Sequence, residues 1–200
     1  MGTPLAAQSE KTVTIAALGD SLTQGYGLVP EAGFVPQLEA WLRGQGADVA
    51  LINAGVSGDT TAGGLARVAW TLTPEVDAII VALGGNDLLR GIAPEVSRAN
   101  LDGILQEATG RGLPVLLIGL EAPGNYGPDY KAAFDGMYPE LAERYGALHV
   151  DSFLGGLGDD PAAFGQFMQA DGIHPNPEGV LRIVEKLGPT VLELVGRVEK

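Results

Sequence analysis

The chain has 200 residues, 46% of them hydrophobic and 18% charged, which is enough apolar material for one folded domain and excludes a disordered chain. Its 25 acidic and 12 basic residues give a net charge of −13, which argues against nucleic-acid partners because these need Lys and Arg to neutralise phosphates. Cysteine is absent, which excludes disulfides, thiolate metal sites and a cysteine nucleophile. The sequence contains no run of about 20 apolar residues, so no stable membrane insertion is expected.

Residues 1–11 are expected to form a leader, and residues 12–200 a single domain. The leader has no basic segment followed by an apolar core, so it is not an intact signal peptide. The stretch Leu5–Ser9 fits the remainder of a removed signal peptide. It fits equally well a disordered leader to which Met1 and Gly2 were added artificially, and the sequence leaves both interpretations open.

Five short apolar runs, rich in Val, Ile, Leu and Ala, predict strands that are buried on both faces. Longer amphipathic stretches between them predict helices. In chain order the elements are strand Val13–Leu18, helix Phe34–Arg43, strand Val49–Ile52, helix Ala62–Leu72, strand Ala78–Leu83, helix Glu95–Arg111, strand Val115–Leu120, helix Tyr130–Tyr145, strand Ala147–Val150 and a last helix over about Glu178–Arg197. This alternation predicts an α/β fold with a parallel sheet covered on both faces, in which ligands bind beyond the carboxyl ends of the strands.

Each of the first three predicted strands is followed by a residue that can act on a carbonyl group. Ser21 follows the first strand, before a predicted helical turn, and can present its hydroxyl to a cleft. Gly55 follows the second strand with a bare backbone N–H, and Asn86 follows the third with two amide donors. Each residue also has an ordinary structural interpretation: a helix cap for Ser21, a turn glycine for Gly55 and an Asn turn for Asn86.

The segment Asp171–Pro177 contains one of the two histidines, His174. Pro175 favours an extended conformation for His174 and so places it in a loop rather than on a helix face. Asp171, three residues earlier, can reach the imidazole and fix its tautomer. The other histidine, His149, lies within an apolar strand and is interpreted as structural.

Together these residues supply the parts of a serine acyl-transfer site. A serine hydroxyl is a weak nucleophile that needs an adjacent base, and a carboxylate orients that base. The N–H groups of Ser21 and Gly55 and the side-chain amide of Asn86 are the expected oxyanion donors. No metal or cofactor is required. A metal site formed by Asp20, Asp171 and His174 is less favoured, because only one histidine serves it.

With these residues in this order, the chain resembles an SGNH hydrolase of the GDSL family. The four letters of the name correspond to Ser21, Gly55, Asn86 and His174. The family's blocks are matched in order by Gly19-Asp20-Ser21-Leu22-Thr23-Gln24-Gly25-Tyr26-Gly27, Gly85-Asn86-Asp87 and Asp171-Gly172-Ile173-His174-Pro175-Asn176. The segments Gly55–Thr61 and Ala122–Gly127 resemble in particular the bacterial multifunctional thioesterase I, lysophospholipase and arylesterase group.

The resemblance implies a three-layer α/β/α, flavodoxin-like fold with a central parallel sheet of about five strands. It implies Ser21 as the nucleophile, His174 as the base and Asp171 as the residue that orients the base. It also implies hydrolysis of esters and thioesters. Members of this group are often periplasmic or secreted, which favours a removed signal peptide over a soluble cytoplasmic protein.

The substrate is expected to be a small ester or thioester with a short to medium acyl chain. The expected substrate-binding residues are Asp20, Leu22, Leu88, Leu89, Tyr126 and Ile173. Leu88, Leu89 and Ile92, with Tyr126 and Tyr130, either line an apolar acyl groove or simply cover the edge of the sheet.

Two alternatives remain open at this stage. A carbohydrate O-acetylesterase on the same fold should carry aromatic or charged residues that contact sugars, and the aromatic content here is only 6%. A non-catalytic binding module should have lost one of the Ser, Asn, Asp or His residues, and none is lost. Amides have poorer leaving groups than esters, so any protease activity is expected to be weak.

Overall fold

The computed structural model describes residues 12–158 and 164–198 of the chain. The predicted leader, residues 1–11, lies outside the described residues, and the expected periplasmic or secreted location stays a prediction. The described residues fold around a five-stranded sheet whose strands are β1 (Val13–Gly19), β2 (Val49–Gly55), β3 (Ala78–Ala82), β4 (Val115–Ile118) and β5 (Leu148–Val150).

The strands run in the order β2-β1-β3-β4-β5, and every neighbouring pair is parallel. The predicted parallel sheet of about five strands is therefore confirmed. This is the flavodoxin-like order: β2 lies on one side of β1, and the chain then crosses over to place β3, β4 and β5 on the other side. This crossover opens a crevice where the loops after β1, β2 and β3 meet.

The helices of the described residues are α1 (Ser21–Gln24), α2 (Phe34–Gly44), α3 (Thr61–Thr71), α4 (Gly85–Leu89), α5 (Pro94–Gly110), α6 (Pro128–Tyr145) and α7 (Pro177–Val198). One apolar core lies between the sheet and helices α2 and α7, and a second lies between the sheet and helices α3, α5 and α6. Successive residues of β1 alternate between the two cores, with Ile15 in the first and Ala16 in the second, because neighbouring side chains of a strand point to opposite faces. The predicted three-layer sandwich is confirmed.

Two strand boundaries differ by two or more residues from those that the apolar runs predict. Strand β4 ends at Ile118 instead of Leu120: the Gly119 N–H still donates to Val150 O, but its carbonyl accepts from Phe153 N, beyond the end of β5. Strand β2 continues to Gly55, beyond Ile52, because its last residues keep their register with β1. None of the helices in residues 12–158 and 164–198 combines the length and apolar character that crossing a bilayer requires.

Candidate active site

Ser21 is the first residue of the short helix α1, directly after the carboxyl end of β1. The preceding residue, Asp20, caps this helix through its Oδ1, which accepts a hydrogen bond of 3.0 Å from Leu22 N. Helix α1 ends after one turn at Gly25, whose φ of 88° is in the left-handed region that favours glycine. The sharp turn into this short helix places the Ser21 hydroxyl at the rim of the sheet.

His174 connects the Ser21 hydroxyl to the Asp171 carboxylate. The distance from His174 Nε2 to Ser21 Oγ is 2.9 Å, and that from His174 Nδ1 to Asp171 Oδ2 is 2.6 Å. An ionised carboxylate at Nδ1 requires the proton on that nitrogen, so Nε2 is left to accept the hydroxyl proton. The three side chains that the sequence singles out are thus hydrogen-bonded in series.

The Asp171 carboxylate is fixed by its own backbone as well as by the imidazole. Its Oδ1 accepts from the N–H groups of Ile173 and His174 at 2.9 and 3.0 Å. The hydrogen bond with the His174 ring and these two backbone donors lower the pKa of Asp171 from 3.8 to about 2. Asp171 therefore stays ionised, and able to orient the imidazole, at any pH at which the protein would be assayed.

Gln169 ties the histidine loop to the loop after helix α1. Its Nε2 donates to Tyr26 O at 2.8 Å and to Pro175 O at 3.0 Å, while its backbone N–H donates to His174 O at 2.7 Å. The Tyr26 ring lies 4.7 Å from the His174 ring, centroid to centroid. These contacts hold the loop that carries the imidazole against the segment that carries Tyr26.

Asn86 lies in helix α4, after β3, and is linked by a hydrogen bond to Asp20, which precedes Ser21. Its Nδ2 donates to Asp20 Oδ2 at 3.3 Å, which leaves the second N–H of the amide available to a ligand. Asp20 is only 3% exposed, and burial raises its pKa to about 6 against the lowering effect of its hydrogen bond from Leu22 N. Asp20 thus joins the segment that carries Ser21 to the segment that carries Asn86.

The buried residue after Asn86, Asp87, anchors helix α4 to its neighbours. Its carboxylate accepts hydrogen bonds from the backbone and hydroxyl of Thr61 and from Ser97 Oγ at 2.9 Å. In the sequence, Asp87 stands out only as part of a family block, which indicates no role for it. A buried carboxylate needs such donors, and the sequence does not indicate which residues supply them.

The expectation that Gly55 supplies an oxyanion donor is corrected by the structure. The N–H of Gly55 donates to Asn53 Oδ1 at 3.0 Å, and Gly55 does not line the active-site cavity. Gly58, three residues later, does line it. Gly58 has φ of 80° in a turn closed by a hydrogen bond from Asp59 N to Val56 O, and no acceptor among the described residues takes its N–H. Gly58 is the better candidate donor.

An open cavity of about 380 Å³ begins at these polar groups. Its polar end holds Ser21, Asn86 and His174, while the remaining wall is mainly apolar. Of the predicted substrate-binding residues, the structure places five along this cavity, and they are Asp20, Leu22, Leu88, Leu89 and Ile173. The sequence did not indicate Tyr26, Leu120 or Leu154, which complete the wall from three different loops.

Tyr126 is the exception among the predicted substrate-binding residues. It does not line the cavity: its hydroxyl donates to Leu88 O at 2.8 Å, and its ring stacks on Tyr130 at 4.9 Å. Tyr130 in turn donates to Ile92 O at 2.8 Å, and neither of these residues lines the cavity. The hydroxyls of the two tyrosines bind carbonyl groups of residues 88–92 instead of facing a substrate. The two side chains therefore stabilise the backbone of that segment.

Comparison with known proteins gives one consistent family. A profile of the GDSL-like Lipase/Acylhydrolase family matches residues 17–181. Esterase TesA from Pseudomonas aeruginosa (strain PAO1) is 40% identical over 192 residues, which are 96% of this chain and 94% of the relative. Thioesterase 1/protease 1/lysophospholipase L1 from Escherichia coli (strain K12) is 34% identical over 184 residues, 91% of this chain and 85% of the relative. Among solved structures, the SGNH-hydrolase family esterase AlinE4 has a TM-score of 0.77 at 44% identity, covering 93% of this chain and 98% of that one.

Proposed function

The chain belongs to the GDSL-like lipase/acylhydrolase family, and we propose that it hydrolyses carboxylic esters and thioesters of short to medium acyl chains through an acyl-enzyme on Ser21. The observation that carries the proposal is the hydrogen-bonded series Asp171–His174–Ser21 at the polar end of an apolar cavity. A base at 2.9 Å from a serine hydroxyl is within the range needed for proton abstraction.

Acylation uses each group in turn. His174 Nε2 takes the proton of Ser21 as Oγ attacks the acyl carbonyl, and Asp171 stabilises the imidazolium that forms. The negative charge on the tetrahedral intermediate is held by Asn86 Nδ2 and by the N–H groups of Ser21 and Gly58. When the intermediate collapses, His174 returns its proton to the departing alcohol or thiol.

Deacylation repeats the same sequence with water. His174 takes a proton from the water molecule as its oxygen attacks the acyl-Ser21 carbonyl, and the same donors hold the second oxyanion. Collapse releases the carboxylic acid, and the proton returns from His174 to Ser21 Oγ. The balance closes with one water consumed for each ester cleaved.

The cavity supports the choice of acyl substrate. Leu22, Leu88, Leu120, Leu154 and Ile173 give its wall the apolar character that an acyl chain requires. The volume of about 380 Å³ is at the small end of the usual range for ligand sites, which favours short and medium chains over long ones.

The test compares the native protein with Ser21→Ala on p-nitrophenyl butyrate and on butyryl-coenzyme A. We expect turnover of both substrates by the native protein and a loss of at least about 10⁴-fold in kcat in the variant. Circular dichroism of the variant controls for folding. Equal rates in the two proteins would contradict the proposal, because Ser21 would then be only a helix residue.

A further inference from the structure

Arg67 on helix α3 makes a set of contacts that the reaction described above does not use. Its Nη1 donates to Ala54 O at 2.7 Å, its Nη2 donates to Gly19 O at 2.8 Å, and its Nε binds Asp59 Oδ2 at 2.7 Å. One planar guanidinium thus satisfies three acceptors in three directions, which a lysine ammonium on a flexible stem cannot reproduce.

The three acceptors belong to two of the segments that hold the proposed oxyanion donors, those of Ser21 and Gly58. Gly19 is the last residue of β1 and precedes Asp20 and Ser21. Ala54 precedes the turn that contains Gly58, and Asp59 is the last residue of that turn. The Arg67 side chain therefore joins the peptide before the nucleophile to both ends of the turn that lines the cavity.

Gly63 and Arg90, which lie next to this contact, leave room for it and add a further hydrogen bond to the same turn. A Cβ on Gly63 would lie 1.6 Å from Asp59 Oδ1, so only glycine at this position leaves room for the carboxylate. Arg90 Nη2 donates to Gly58 O at 2.8 Å and holds the turn from its other side. The side chains of Arg67 and Asp59 are only 23% and 14% exposed, so solvent weakens their ion pair less than it would weaken a surface pair.

We propose that Arg67 is a positioning residue that sets the geometry of the oxyanion hole by fixing the Gly58 turn against the Ser21 turn. Preorganised donors contribute to catalysis only when they lie where the charge develops, so a small displacement of the turn reduces their effect. This inference rests on the proposed function, since it assigns Arg67 a part in the same acyl transfer.

The chain offers a matched control in Arg43 on helix α2. Its Nε and Nη2 donate to Val49 O, at the start of β2, and its Nη2 pairs with Glu39 at 3.0 Å. Arg43 thus repeats the combination of a strand carbonyl and a carboxylate, but at the opposite end of the same strand. It makes no contact with the cavity.

The experiment compares Arg67→Gln, Arg67→Lys, Asp59→Asn and Arg43→Gln with the native protein, and uses Ser21→Ala as the blank. Two quantities are measured: kcat and KM on p-nitrophenyl butyrate, and the inhibition constant of butyl trifluoromethyl ketone, which adds to a serine nucleophile to form an oxyanion. Butyl methyl ketone, which lacks the fluorines, reports binding of the same chain without that addition.

We expect Arg67→Gln to lower kcat about 30-fold, since it displaces a donor turn without removing the donors. KM and the inhibition constant of the methyl ketone should stay within about twofold, and that of the trifluoromethyl ketone should rise in parallel with the loss of kcat. Arg67→Lys should fall between Arg67→Gln and the native protein. Arg43→Gln should match the native protein in all of these quantities.

A folded Arg67→Gln with unchanged kcat would overturn the proposal, as would a loss of kcat without weaker trifluoromethyl ketone binding. An equal loss in Arg43→Gln would overturn it too, because the effect would then be one of general stability. If Arg67→Gln does not fold, Asp59→Asn decides, since it keeps the guanidinium and both carbonyl bonds. A parallel change of about fivefold supports the proposal, and no change overturns it. Native-like activity in Ser21→Ala would contradict the proposed function itself, whatever the arginine variants do.

Discussion

The described residues include two Asp–His pairs, one in the loop before α7 and one at the end of β5, and only the first is arranged as a catalytic site would require. In the pair on the loop before α7, Asp171 lies 2.6 Å from His174, and the far ring nitrogen reaches Ser21. In the pair at the end of β5, Asp151 lies 3.5 Å from His149 and is 90% exposed. His149 Nε2 is buried and has no hydrogen-bond partner among the described residues.

The difference between the pairs lies in what holds each carboxylate. Asp171 accepts two backbone N–H groups as well as the imidazole, so its position is fixed and its pKa is lowered. Asp151 points into solvent, and burial lowers the pKa of His149, which keeps that ring neutral. A carboxylate next to a histidine is therefore insufficient for catalysis. Both ring nitrogens need partners, and the carboxylate itself has to be held.

The largest expected effect separates the two histidines directly. His174→Gln removes the proposed base, and we expect kcat on p-nitrophenyl butyrate to fall by at least about 10⁴-fold. His149→Gln should leave kcat within twofold of the native value, because His149 touches no group of the site. Comparable losses in the two variants would mean that the pairs do not differ in function.

The next effect separates the two carboxylates. Asp171→Asn keeps the shape of the side chain but no longer enforces the proton on His174 Nδ1, so we expect kcat to fall about 10³-fold with little change in KM. Asp151→Asn is the control and should behave as the native protein, since its side chain is 90% exposed. Steady-state kinetics at pH 8 measures both, and an active Asp171→Asn would contradict the role given to Asp171.

A third carboxyl, Asp20, sharpens the comparison because its pKa moves in the opposite direction to that of Asp171. The folded-state pKa of Asp20 is about 6 against an ordinary value of 3.8, so between about pH 4 and 6 the folded protein keeps a proton that the unfolded chain has lost. Stability should therefore fall as pH rises through this window, by about 3 kcal/mol from this group. The variant Asp20→Asn lacks the titrating group and should lack this contribution.

Urea unfolding of the native protein and Asp20→Asn at pH 4 and pH 7 measures the contribution. The variant should gain about 3 kcal/mol relative to the native protein between the two pH values. Asp171→Asn serves as the matched control. The pKa of Asp171 is lowered to about 2, so its stabilising effect is lost only as pH falls below about 4. A difference between native protein and Asp20→Asn that does not change with pH would show that burial does not hold the Asp20 proton.

The smallest expected effect concerns His149, in the Asp–His pair at the end of β5. His149→Leu removes a buried nitrogen without a partner in the described part of the chain, so we expect the free energy of unfolding to rise by up to about 1 kcal/mol. Esterase activity should stay within twofold of the native value. Urea unfolding at pH 7 measures the change, and a clear loss of stability would mean that His149 Nε2 has an unseen partner.

Much of the fold was predictable because its strands are short, nearly continuous apolar runs. That pattern arises when both faces of a sheet are covered, as they are for β3, where all five residues are buried. The order of the strands was not predictable from the runs themselves, since apolar side chains do not encode which strand lies beside which. The resemblance to a known family implied a flavodoxin-like fold, and the structure supplies the order itself.

The site residues were predictable where the chemistry of a side chain is distinctive. They were not predictable where the direction of a backbone N–H group decides which residue faces the cavity. Ser21, Asp171 and His174 are recognisable by residue type and spacing. Gly55 ends strand β2 and Gly58 follows three residues later, and neither has a side chain that tells them apart. Only the hydrogen bond to Asn53 shows that the N–H of Gly55 is already occupied. Tyr126 was predicted to line the cavity for a similar reason. The residue type does not show whether a tyrosine beside a cleft turns its ring toward a substrate or its hydroxyl toward a backbone carbonyl.

The bond from Gln169 to Tyr26 spans 143 positions of the chain, and the one from His174 to Ser21 spans 153. Contacts between such distant segments form late in folding, after local helices and neighbouring strands, because a long loop has to close before they can be made. Catalytic competence is thus acquired at the end of folding. A chain stopped before Asp171 would contain Ser21 and all five strands, yet would lack both the proposed base and the carboxylate that orients it.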